Sequence, residues 1–525
     1  YFRELHGRNP SSKEELGQFL TRSMKPASNA VAGFDLVFSP PKSVSFLWGV
    51  STKEARRAIE KAQHDAVSDT MNFLEENATY TRKGRNGVRT EGVQGGLTYT
   101  SFRHFDSRTG DPQLHDHVVV SNKVKGLDGN WGTLDGRHLY KFGVSASEHY
   151  NRRVIENVCN ALGLAPMERE VPGKQSIIEI GGVPMAAIEA ASSRRADINK
   201  QLETLKTRFV AEHGYEPNKK QLIALSQQAT LATRPDKKEG ASLSELVDGW
   251  KEKFAGVQGV PVGDQALAQA RGYAATHLDA ARQGTCTLDD EGIQDTARRV
   301  IREVSTERST WSRHHVEAAS RRLLGAQAGA HRIPAELIST VVARSLEVES
   351  LSLSPGIVAP APVAGAVENV GVYQRPDATL YTSAAVLTAE NNLVEAASTS
   401  VVPAVSGQVF DGVLLKHRGP LDAGQEALAR AFATEGKLLV GGLGPAGAGK
   451  TTAMKLAVDA FKKSGSRVFA LAPTAAAAKV LADEVGADSP FTVTGAAYHA
   501  HLPELQPGHV PLMYKAGMLQ TSAPD

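Results

Sequence analysis

The hydrophobic positions of the first eighty residues predict a strand that is followed by a long helix. In the segment Gly33 to Ser39, apolar side chains alternate with a second face that carries Asp35, which is the pattern of a half-buried strand. A Pro-Pro pair ends the strand, and Ser51-Thr52 offers an N-cap for a helix that runs to about Asn77. Apolar residues keep near-helical spacing in this helix, and we expect them to face a sheet: Ala55, Ile59, Ala62, Ala66, Phe73 and Leu74.

A second alternating region predicts a β-hairpin. Leu97 to Phe102 is rich in β-branched and aromatic residues, as is the valine run that follows the last histidine of the region. The stretch between them, Asp106 to Pro112, consists mostly of turn formers. A turn centred near Thr109-Gly110 would place His104 opposite His115 on the neighbouring strand.

This hairpin would bring three imidazoles together. His115 and His117 are two residues apart, and residues at this spacing point to the same face of a strand. With His104 across the turn, the three rings could meet at one point, as in a divalent-metal site with positions left open for a substrate. Two histidines at this spacing are more often surface residues, but the third histidine and the hairpin geometry favour metal binding.

Beyond the hairpin, the pattern changes from strands to helices. A short strand follows the turn at Gly126 to Trp131, and helical spacing dominates from about Val144. The pattern is almost wholly helical from Ser242 to Leu351, where the adjacent pair His314-His315 fits a helix N-terminus better than a metal site. Ser352 to Gly371 has the composition of a linker. These patterns predict an α+β domain in which an antiparallel sheet carries the histidines.

Composition and charge narrow the class of the protein. Hydrophobic residues make up 41% of the 525 residues and charged residues 22%, which allows a sizeable core and argues against global disorder. Because the net charge is only +2, a nucleic-acid surface would have to come from local clustering of charge. The basic loop Arg82 to Arg89 is one such cluster, and it could either grip phosphates or be a solvated hairpin tip.

Cysteine usage and hydropathy bear on the compartment. Cys159 and Cys286 are far apart in the sequence and lack a C-x-x-C spacing, so neither a disulfide framework nor a cysteine zinc site is expected. We find no apolar run of the roughly 18 residues that a membrane span needs and recognise no signal peptide. We therefore expect a cytoplasmic protein with no membrane span. The first residue, Tyr1, leads us to expect a fragment.

A glycine-rich loop in the C-terminal part predicts a nucleotide site. The apolar segment Leu438 to Leu443, for which we expect a strand, leads into GPAGAGKTT, and a helical pattern follows. This is G-x4-G-K-T in its strand–loop–helix setting. Backbone N–H groups would hold the phosphates, Lys450 would reach the outer phosphates, and Thr451 would offer its hydroxyl to magnesium. The residues expected to bind the nucleotide are Gly444, Gly447, Gly449, Lys450, Thr451 and Thr452.

The order of the motifs resembles that of the MobF-type conjugative relaxases, which are relaxase-helicases that nick and transfer plasmid DNA. The resemblance lies in FRH-x10-HDHVVVSN from Phe102 to Asn122, preceded by GFDLVFSPPKSVS from Gly33 to Ser45. It covers roughly residues 1 to 235 and implies an HUH-type relaxase domain with Asp35 as a catalytic residue. The implied cofactor is a divalent metal on the three histidines, either Mg²⁺ or Mn²⁺, while Zn²⁺ stays open because imidazoles suit it.

The resemblance also implies a reaction. A tyrosine hydroxyl attacks a DNA phosphodiester and leaves a 5′-phosphotyrosine and a free 3′-OH. The metal would stabilise charge on the phosphate oxygens, while Asp35 would orient a histidine ligand or help to take the tyrosine proton. The family's tyrosines lie well upstream of the aspartate motif, so we do not assign Tyr1 and expect the nucleophile to be missing from this chain. Packing roles suit Tyr80, Tyr99 and Tyr140 better.

The C-terminal part resembles superfamily 1 DNA helicases. Val468 to Leu471 has the composition of a strand, Ala472 to Ala477 resembles the second helicase motif, and Gln425 resembles the adenine-reading glutamine. The implied cofactor is ATP with Mg²⁺. ATPase chemistry also needs an Asp-Glu pair at the end of an apolar strand, and Val510 to Met518 lacks one. We therefore expect nucleotide binding without hydrolysis, and a fragment that is inactive alone.

Four regions follow from these patterns. They are an N-terminally truncated relaxase domain (1–240), a helical region (241–351), a linker (352–371) and a truncated α/β P-loop helicase domain (372–525). The expected function is metal-dependent nicking and strand transfer of single-stranded DNA at a transfer origin, with relaxosome and secretion-channel proteins as partners. A rolling-circle replication-initiator nuclease and a DNA-binding ATPase module with structural histidines are the alternatives. The tandem of histidine motif and helicase loop favours the first function.

Overall fold

The computed structural model describes residues 7–12, 15–16, 19, 31–84, 87, 89–171, 175–213, 217, 219–235, 241–282, 284–354, 378–400, 404–417, 419–445, 448–472, 475–492 and 510–513. The chain divides into two compact units, which are described separately. The first comprises Tyr1–Arg194 and Pro235–Thr382, and the second comprises Arg195–Arg234 and Ser383–Asp525. The first unit thus includes the helices of the 241–351 region, and the domain boundaries expected from the sequence stay predictions.

A three-stranded antiparallel sheet in the first unit carries the three histidines. Its strands are ordered β1-β5-β4, with β1 at Gly33–Phe38, β4 at Tyr99–Asp106 and β5 at Pro112–Ser121. Along β5 every second side chain is buried, because successive residues of a strand point to opposite faces. The histidines of β5 lie on the less buried face. The α+β fold with an antiparallel sheet and helices is confirmed.

The hairpin of β4 and β5 has the expected register. His104 pairs directly with His115, and Phe102 pairs with His117. The turn between the strands includes Gly110 at a positive φ of 81°, and the Gly110 N–H donates a hydrogen bond of 2.8 Å to the carbonyl of Ser107. A turn centred on this glycine was the basis of the predicted pairing, which is confirmed.

Three helices pack in the same hydrophobic core as the sheet: α1 (Lys42–Val50), α2 (Lys53–Ala78) and α3 (Gly136–Leu162). The side chain of Thr52 caps α2 by accepting a hydrogen bond from the Ala55 N–H. All six apolar residues that were expected to face a sheet from α2 are buried. Helix α3 begins before the expected position near Val144, because Asp135 caps it through the Arg137 N–H.

Two further antiparallel sheets belong to the first unit. The four-stranded sheet has the order β2-β3-β6-β7, with strands Tyr80–Lys83, Arg89–Gln94, Lys123–Gly126 and Trp131–Thr133. The last of these confirms the short strand expected at Trp131. A two-stranded hairpin follows α3 and consists of β8 (Pro166–Arg169) and β9 (Ile177–Ile180).

The expected helical stretch after residue 242 is confirmed. The helices from this point to residue 347 are α7 (Leu243–Ala255), α8 (Asp264–Thr276), α9 (Leu278–Ala281), α10 (Asp290–Glu307), α11 (Arg313–Gln327) and α12 (Ala335–Glu347). They are preceded by α4 (Met185–Ala190), α5 (Ser193–His213) and α6 (Lys219–Ala232). Ser312 is the N-cap of α11, so His314 and His315 lie in its first turn, as expected. Strand β10 (Leu351–Ser352) pairs with β11 (Tyr381–Thr382), and most of the expected linker lies outside the described residues.

The second unit contains a parallel three-stranded sheet with the order β13-β12-β14. Its strands are β12 (Val468–Ala472), β13 (Ser489–Thr492) and β14 (Val510–Met513), and its later helices are α13 (Ala384–Ser398), α14 (Gly407–Leu414), α15 (Ala423–Thr434), α16 (Lys450–Lys463) and α17 (Ala475–Val485). The strand predicted at Leu438 to Leu443 was wrong, since this segment has no assigned strand. The backbone N–H groups of Leu438 and Leu439 instead donate hydrogen bonds of 3.0 and 3.2 Å to the carbonyls of Thr399 and Ala396, at the C-terminal end of α13.

Among the described residues, no helix has both the length and the apolar character required to cross a membrane.

Candidate metal centre and nucleotide loop

The three histidines converge on the open face of the sheet. Each of His104, His115 and His117 offers one ring nitrogen, and these nitrogens lie within 4.8 Å of one another. The three ring centroids are separated by 4.9 to 5.3 Å. His104 is exposed, whereas the two histidines of β5 are half-buried. The strand register therefore brings together all three residues that the sequence singled out.

Hydrogen bonds to Nδ1 orient the two histidines of β5. The Nδ1 atom of His117 lies 2.8 and 3.0 Å from the two carboxylate oxygens of Asp35 on β1. The Nδ1 atom of His115 lies 2.7 Å from the backbone carbonyl oxygen of Gln113. Because carboxylates and carbonyls only accept hydrogen bonds, each Nδ1 must carry the proton, and each Nε2 keeps a lone pair that can bind a metal.

The protonation of His115 also suits a metal ligand. Burial of its ring lowers the pKa below the ordinary value, and the neighbouring His104 and His117 act in the same direction. The hydrogen bond to the carbonyl of Gln113 opposes this shift. At neutral pH the ring is therefore neutral, which is the form that can coordinate a cation.

Gln113 is a residue of this site that the sequence interpretation missed. Its side-chain amide donates to Ser39 Oγ, at the end of β1, and its Oε1 accepts a hydrogen bond of 2.5 Å from Lys42 Nζ. Burial lowers the pKa of Lys42 to about 8. The alternation Gln113, His115, His117 placed Gln113 on the histidine face and could have identified it.

The donor set fits a divalent cation. Three imidazoles each present one ring nitrogen, and hydrogen-bond acceptors at Nδ1 orient two of the rings. Three apolar side chains on the same face are about half-exposed, namely Val37 (54%), Phe102 (52%) and Val119 (43%). The face of the sheet that carries the histidines is therefore partly exposed to solvent.

Hydrogen bonds within the described part of the glycine-rich loop position Lys450 and Gln425. Lys450, the first residue of α16, donates hydrogen bonds of 2.8 and 2.7 Å to the carbonyls of Gly444 and Pro445. Gly449 has a φ of +71°, and a Cβ there would lie 2.3 Å from the Gln425 side chain. The Gln425 amide in turn donates to the Ala448 carbonyl at 3.2 Å.

The structure thus places Gln425, Gly444, Gly449 and Lys450 at one loop, and Thr451 and Thr452 follow in the first turn of α16. Gly447, which was also expected to bind the nucleotide, lies outside the described residues.

The described basic side chains of the loop near residue 85 are ion-paired within the protein. Arg82 lies 3.8 Å from Asp135, and Arg89 lies 3.6 Å from Glu91. Lys83 forms an ion pair with Asp128. These contacts favour a solvated hairpin tip over a phosphate grip for the described part of this loop.

Comparisons with known proteins identify relatives of two parts of the chain. Residues 2–257 match the model of the TrwC relaxase family, and residues 420–523 match a AAA domain. The chain is similar to the multifunctional conjugation protein TraI of Escherichia coli, with 33% identity over 219 residues. This region is 40% of the present chain and 12% of TraI. The chain therefore spans about an eighth of the length of this curated relative. A second TraI, from E. coli strain K12, is 32% identical over the same length.

Solved structures of the conjugative relaxase TrwC are also similar. A complex of TrwC with mutant oriT DNA has 29% identity and a TM-score of 0.35, and the match covers 43% of the present chain and 75% of that chain. A metal-bound complex of TrwC with oriT DNA has 29% identity and a TM-score of 0.36, and the match covers 43% and 73%.

Proposed function

We propose that this chain, whose residues 2–257 belong to the TrwC relaxase family, takes part in nicking and transferring one strand of plasmid DNA at a metal centre on its antiparallel sheet. The observation that supports this proposal is the convergence of His104, His115 and His117, with the Nδ1 atoms of two rings held by acceptors. A set of structural histidines would have no need to keep three ring nitrogens aimed at one open position.

In the proposed reaction, Asp35 and Gln113 orient the rings of two histidine ligands. Asp35 accepts a hydrogen bond from the Nδ1–H of His117, which fixes one tautomer of the ring and makes its Nε2 a better metal ligand. The carbonyl of Gln113 does the same for His115. A divalent cation bound there would polarise a phosphodiester oxygen. We assign Asp35 to ligand orientation, because its carboxylate is occupied by His117; accepting a nucleophile's proton would compete with that contact.

We propose that the attacking tyrosine comes from outside the described residues. Tyr99 alternates to the opposite face of β4 from His104. Tyr140 lies on α3, with its ring edge-on to Phe34 at 6.5 Å, and Phe34 points away from the face that carries Asp35. Tyr140 is 80% exposed, so the packing role expected for it is only partial.

The substrate and cofactors of this proposal follow from the family. We propose single-stranded DNA at a transfer origin as substrate and Mg²⁺ or Mn²⁺ as the metal, with Zn²⁺ as the competitor that imidazoles also suit. The glycine-rich loop would hold ATP with Mg²⁺. Relaxosome and secretion-channel proteins in the cytoplasm are the proposed partners.

The proposal is tested by titrating the chain with Mn²⁺ and measuring the bound metal by calorimetry or electron paramagnetic resonance. We expect one high-affinity Mn²⁺ site in the unsubstituted chain. His115→Ala should lose it, because only two of the three imidazole ligands remain. The same variant should lose the Mn²⁺-dependent part of binding to a single-stranded oligonucleotide.

The matched control is His64→Ala, which removes an exposed histidine from α2, outside the metal centre. It should keep the Mn²⁺ affinity of the unsubstituted chain. Equal Mn²⁺ binding by His115→Ala and by the unsubstituted chain would exclude the proposed centre.

A further inference from the structure

A partly buried ion pair joins the two histidine strands on the reverse face of the sheet. Asp116 lies between the two histidines of β5 and is 2% exposed, because strand alternation turns it away from them. Arg103, the residue before His104 on β4, lies directly opposite it in the strand register. Its Nε and Nη2 atoms donate hydrogen bonds of 2.9 and 3.1 Å to the two carboxylate oxygens of Asp116, so the ion pair is bidentate.

A glutamine from α2 extends this pair to the third strand. The Gln63 amide nitrogen donates to Asp116 Oδ2 at 3.1 Å and to the backbone carbonyl of Phe38, on β1, at 3.2 Å. The Gln63 Oε1 accepts a hydrogen bond of 2.6 Å from the hydroxyl of Tyr150 on α3. Gln63 is fully buried, and this arrangement uses both of its donor hydrogens and its acceptor.

These contacts link every strand that contributes to the candidate metal centre. Arg103 lies on the strand of His104, Asp116 on the strand of the other two histidines, and Gln63 reaches the strand of Asp35. A slip of one strand by one residue would turn its side chains to the other face and remove a ligand from the centre. The bidentate pair of an arginine and a carboxylate resists such a shift because both hydrogen bonds must break.

We propose that Asp116, Arg103 and Gln63 are positioning residues for the metal centre: through one shared carboxylate they hold three strands in the register that makes the imidazoles converge. This inference rests on the proposed function, because it assumes that the centre binds a metal. It adds that metal affinity depends on polar contacts on the opposite side of the sheet, which touch no ligand.

The test uses two conservative variants of the full chain. Asp116→Asn keeps the shape of the side chain and removes its charge. Arg103→Lys keeps the positive charge and removes the bidentate contact with the carboxylate. We expect each variant to lower Mn²⁺ affinity about tenfold, as substitutions of residues that orient a metal ligand do. We also expect the visible absorption spectrum of the Co²⁺-loaded chain to change, because the ligand geometry is altered. Arg103→Lys is the fallback variant if Asp116→Asn fails to fold. Arg103 is 28% exposed, so the lysine that replaces it can keep its charge in contact with water.

A second buried ion pair in the same unit provides matched controls. Glu317 is 5% exposed and accepts a hydrogen bond of 2.9 Å from Arg321, which is 8% exposed, on α11. Glu317→Gln and Arg321→Lys should lower the melting temperature by a similar amount, yet leave Mn²⁺ affinity within about twofold and the Co²⁺ spectrum unchanged, since neither residue lies on a histidine strand.

The possible outcomes separate this inference from the proposed function. If the unsubstituted chain binds no Mn²⁺, the proposed function fails and the inference fails with it. If the unsubstituted chain binds Mn²⁺ and both sheet variants bind it equally well with the same Co²⁺ spectrum, the inference alone is overturned. A loss of affinity that the Glu317 and Arg321 variants reproduce at equal melting temperature would also overturn it, because general destabilisation would then be the cause.

Discussion

Asp35 contributes one of the acceptors at the candidate metal centre. Its carboxylate is 52% exposed on the open face of the sheet, and both oxygens lie within 3.0 Å of His117 Nδ1. A carboxylate in this position fixes the ring and makes its other nitrogen a stronger donor. An amide would keep one acceptor oxygen but lose the negative charge.

Replacing Asp35 by Asn should therefore weaken Mn²⁺ binding about tenfold without abolishing it, because the three imidazoles remain. The measurement is the Mn²⁺ dissociation constant from a calorimetric titration. Asp65→Asn, which changes an acid of similar exposure (44%) on α2 that pairs with Lys61, is the control and should bind Mn²⁺ as the unsubstituted chain does. Equal dissociation constants for the two variants would contradict the role of Asp35.

The buried environment of His149, outside the candidate metal centre, lowers the pKa of its ring. Its ring stacks on Phe73, with centroids 5.2 Å apart, and its Nδ1 accepts a hydrogen bond of 2.7 Å from Arg321. Burial lowers the pKa of His149 to about 2, and the charges of Arg321 and Arg153 act in the same direction. The folded protein thus keeps this ring neutral well below the pKa of about 6.5 of a histidine in an unfolded chain.

This difference makes the first unit less stable in acid. As the pH falls below about 6.5, the unfolded chain takes up a proton at His149 and the folded chain does not, so the free energy of unfolding decreases. The loss from this residue approaches about 1 kcal/mol per pH unit between pH 6 and pH 4. Urea unfolding at pH 7 and pH 5 should show a smaller acid loss in His149→Gln, which keeps an acceptor for Arg321 and does not titrate.

The control for this measurement is His64→Gln on α2. This histidine is exposed, so its substitution should leave the acid loss of the unsubstituted chain unchanged. An acid loss in His149→Gln as large as that of the unsubstituted chain would show that other groups cause it.

At the scale of elements, the start of α3 lies against the strand that carries Asp35. A Cβ on Gly136 would lie 2.6 Å from two ring atoms of Phe34, so only glycine allows this approach without a shift of the ring or the helix. Gly143 is on the same helix, and a Cβ there would have nothing within 4 Å.

The two glycines should therefore respond in opposite ways to alanine. Gly136→Ala should lower the free energy of unfolding by about 1 to 3 kcal/mol, because the added methyl group overpacks the contact. Gly143→Ala should raise it by up to about 1 kcal/mol, because alanine is the better helix former. Both values can be measured by urea unfolding, and destabilisation by Gly143→Ala equal to that by Gly136→Ala would refute the packing explanation.

The sequence was sufficient to predict the elements whose pattern is local. The strand at Gly33, the capped helix after Thr52 and the register of His104 with His115 depend on alternation, helical spacing and turn residues, and they are confirmed. The strand expected at Leu438 to Leu443 was wrong, because the N–H groups of Leu438 and Leu439 bond to carbonyls at the end of α13, and no local pattern in the sequence indicates such a contact.

The candidate site was predictable to a similar extent. Its three imidazoles follow from one hairpin, and their assignment as metal ligands stays a prediction that the geometry supports. The contact of Gln63 with Asp116 joins residues 53 positions apart on a helix and a strand, and no local pattern indicates it. The position of Arg103 opposite Asp116 follows from the predicted register, and this pairing was overlooked.

At the scale of the whole molecule, the family match confirms the resemblance to conjugative relaxases that the histidine and aspartate motifs indicated. The AAA match over residues 420–523 confirms a nucleotide-binding type of domain in the C-terminal part. One chain thus combines a candidate centre for phosphodiester chemistry with a phosphate loop. The two can be tested separately, because their residues belong to different units.

The phosphate loop should bind ATP without hydrolysing it in this chain. Lys450 is held by two loop carbonyls and would exchange them for phosphate oxygens. The adjacent Asp-Glu pair that follows the loop in the sequence, Asp483-Glu484, lies within helix α17, where it cannot serve as the strand-end pair that ATPase chemistry needs. A fluorescent ATP analogue should bind, and Lys450→Ala should weaken it about tenfold or more. Lys455→Ala, an exposed lysine on the same helix, should not weaken binding. Steady-state hydrolysis with single-stranded DNA should stay at background, and turnover that Lys450→Ala abolishes would contradict this expectation.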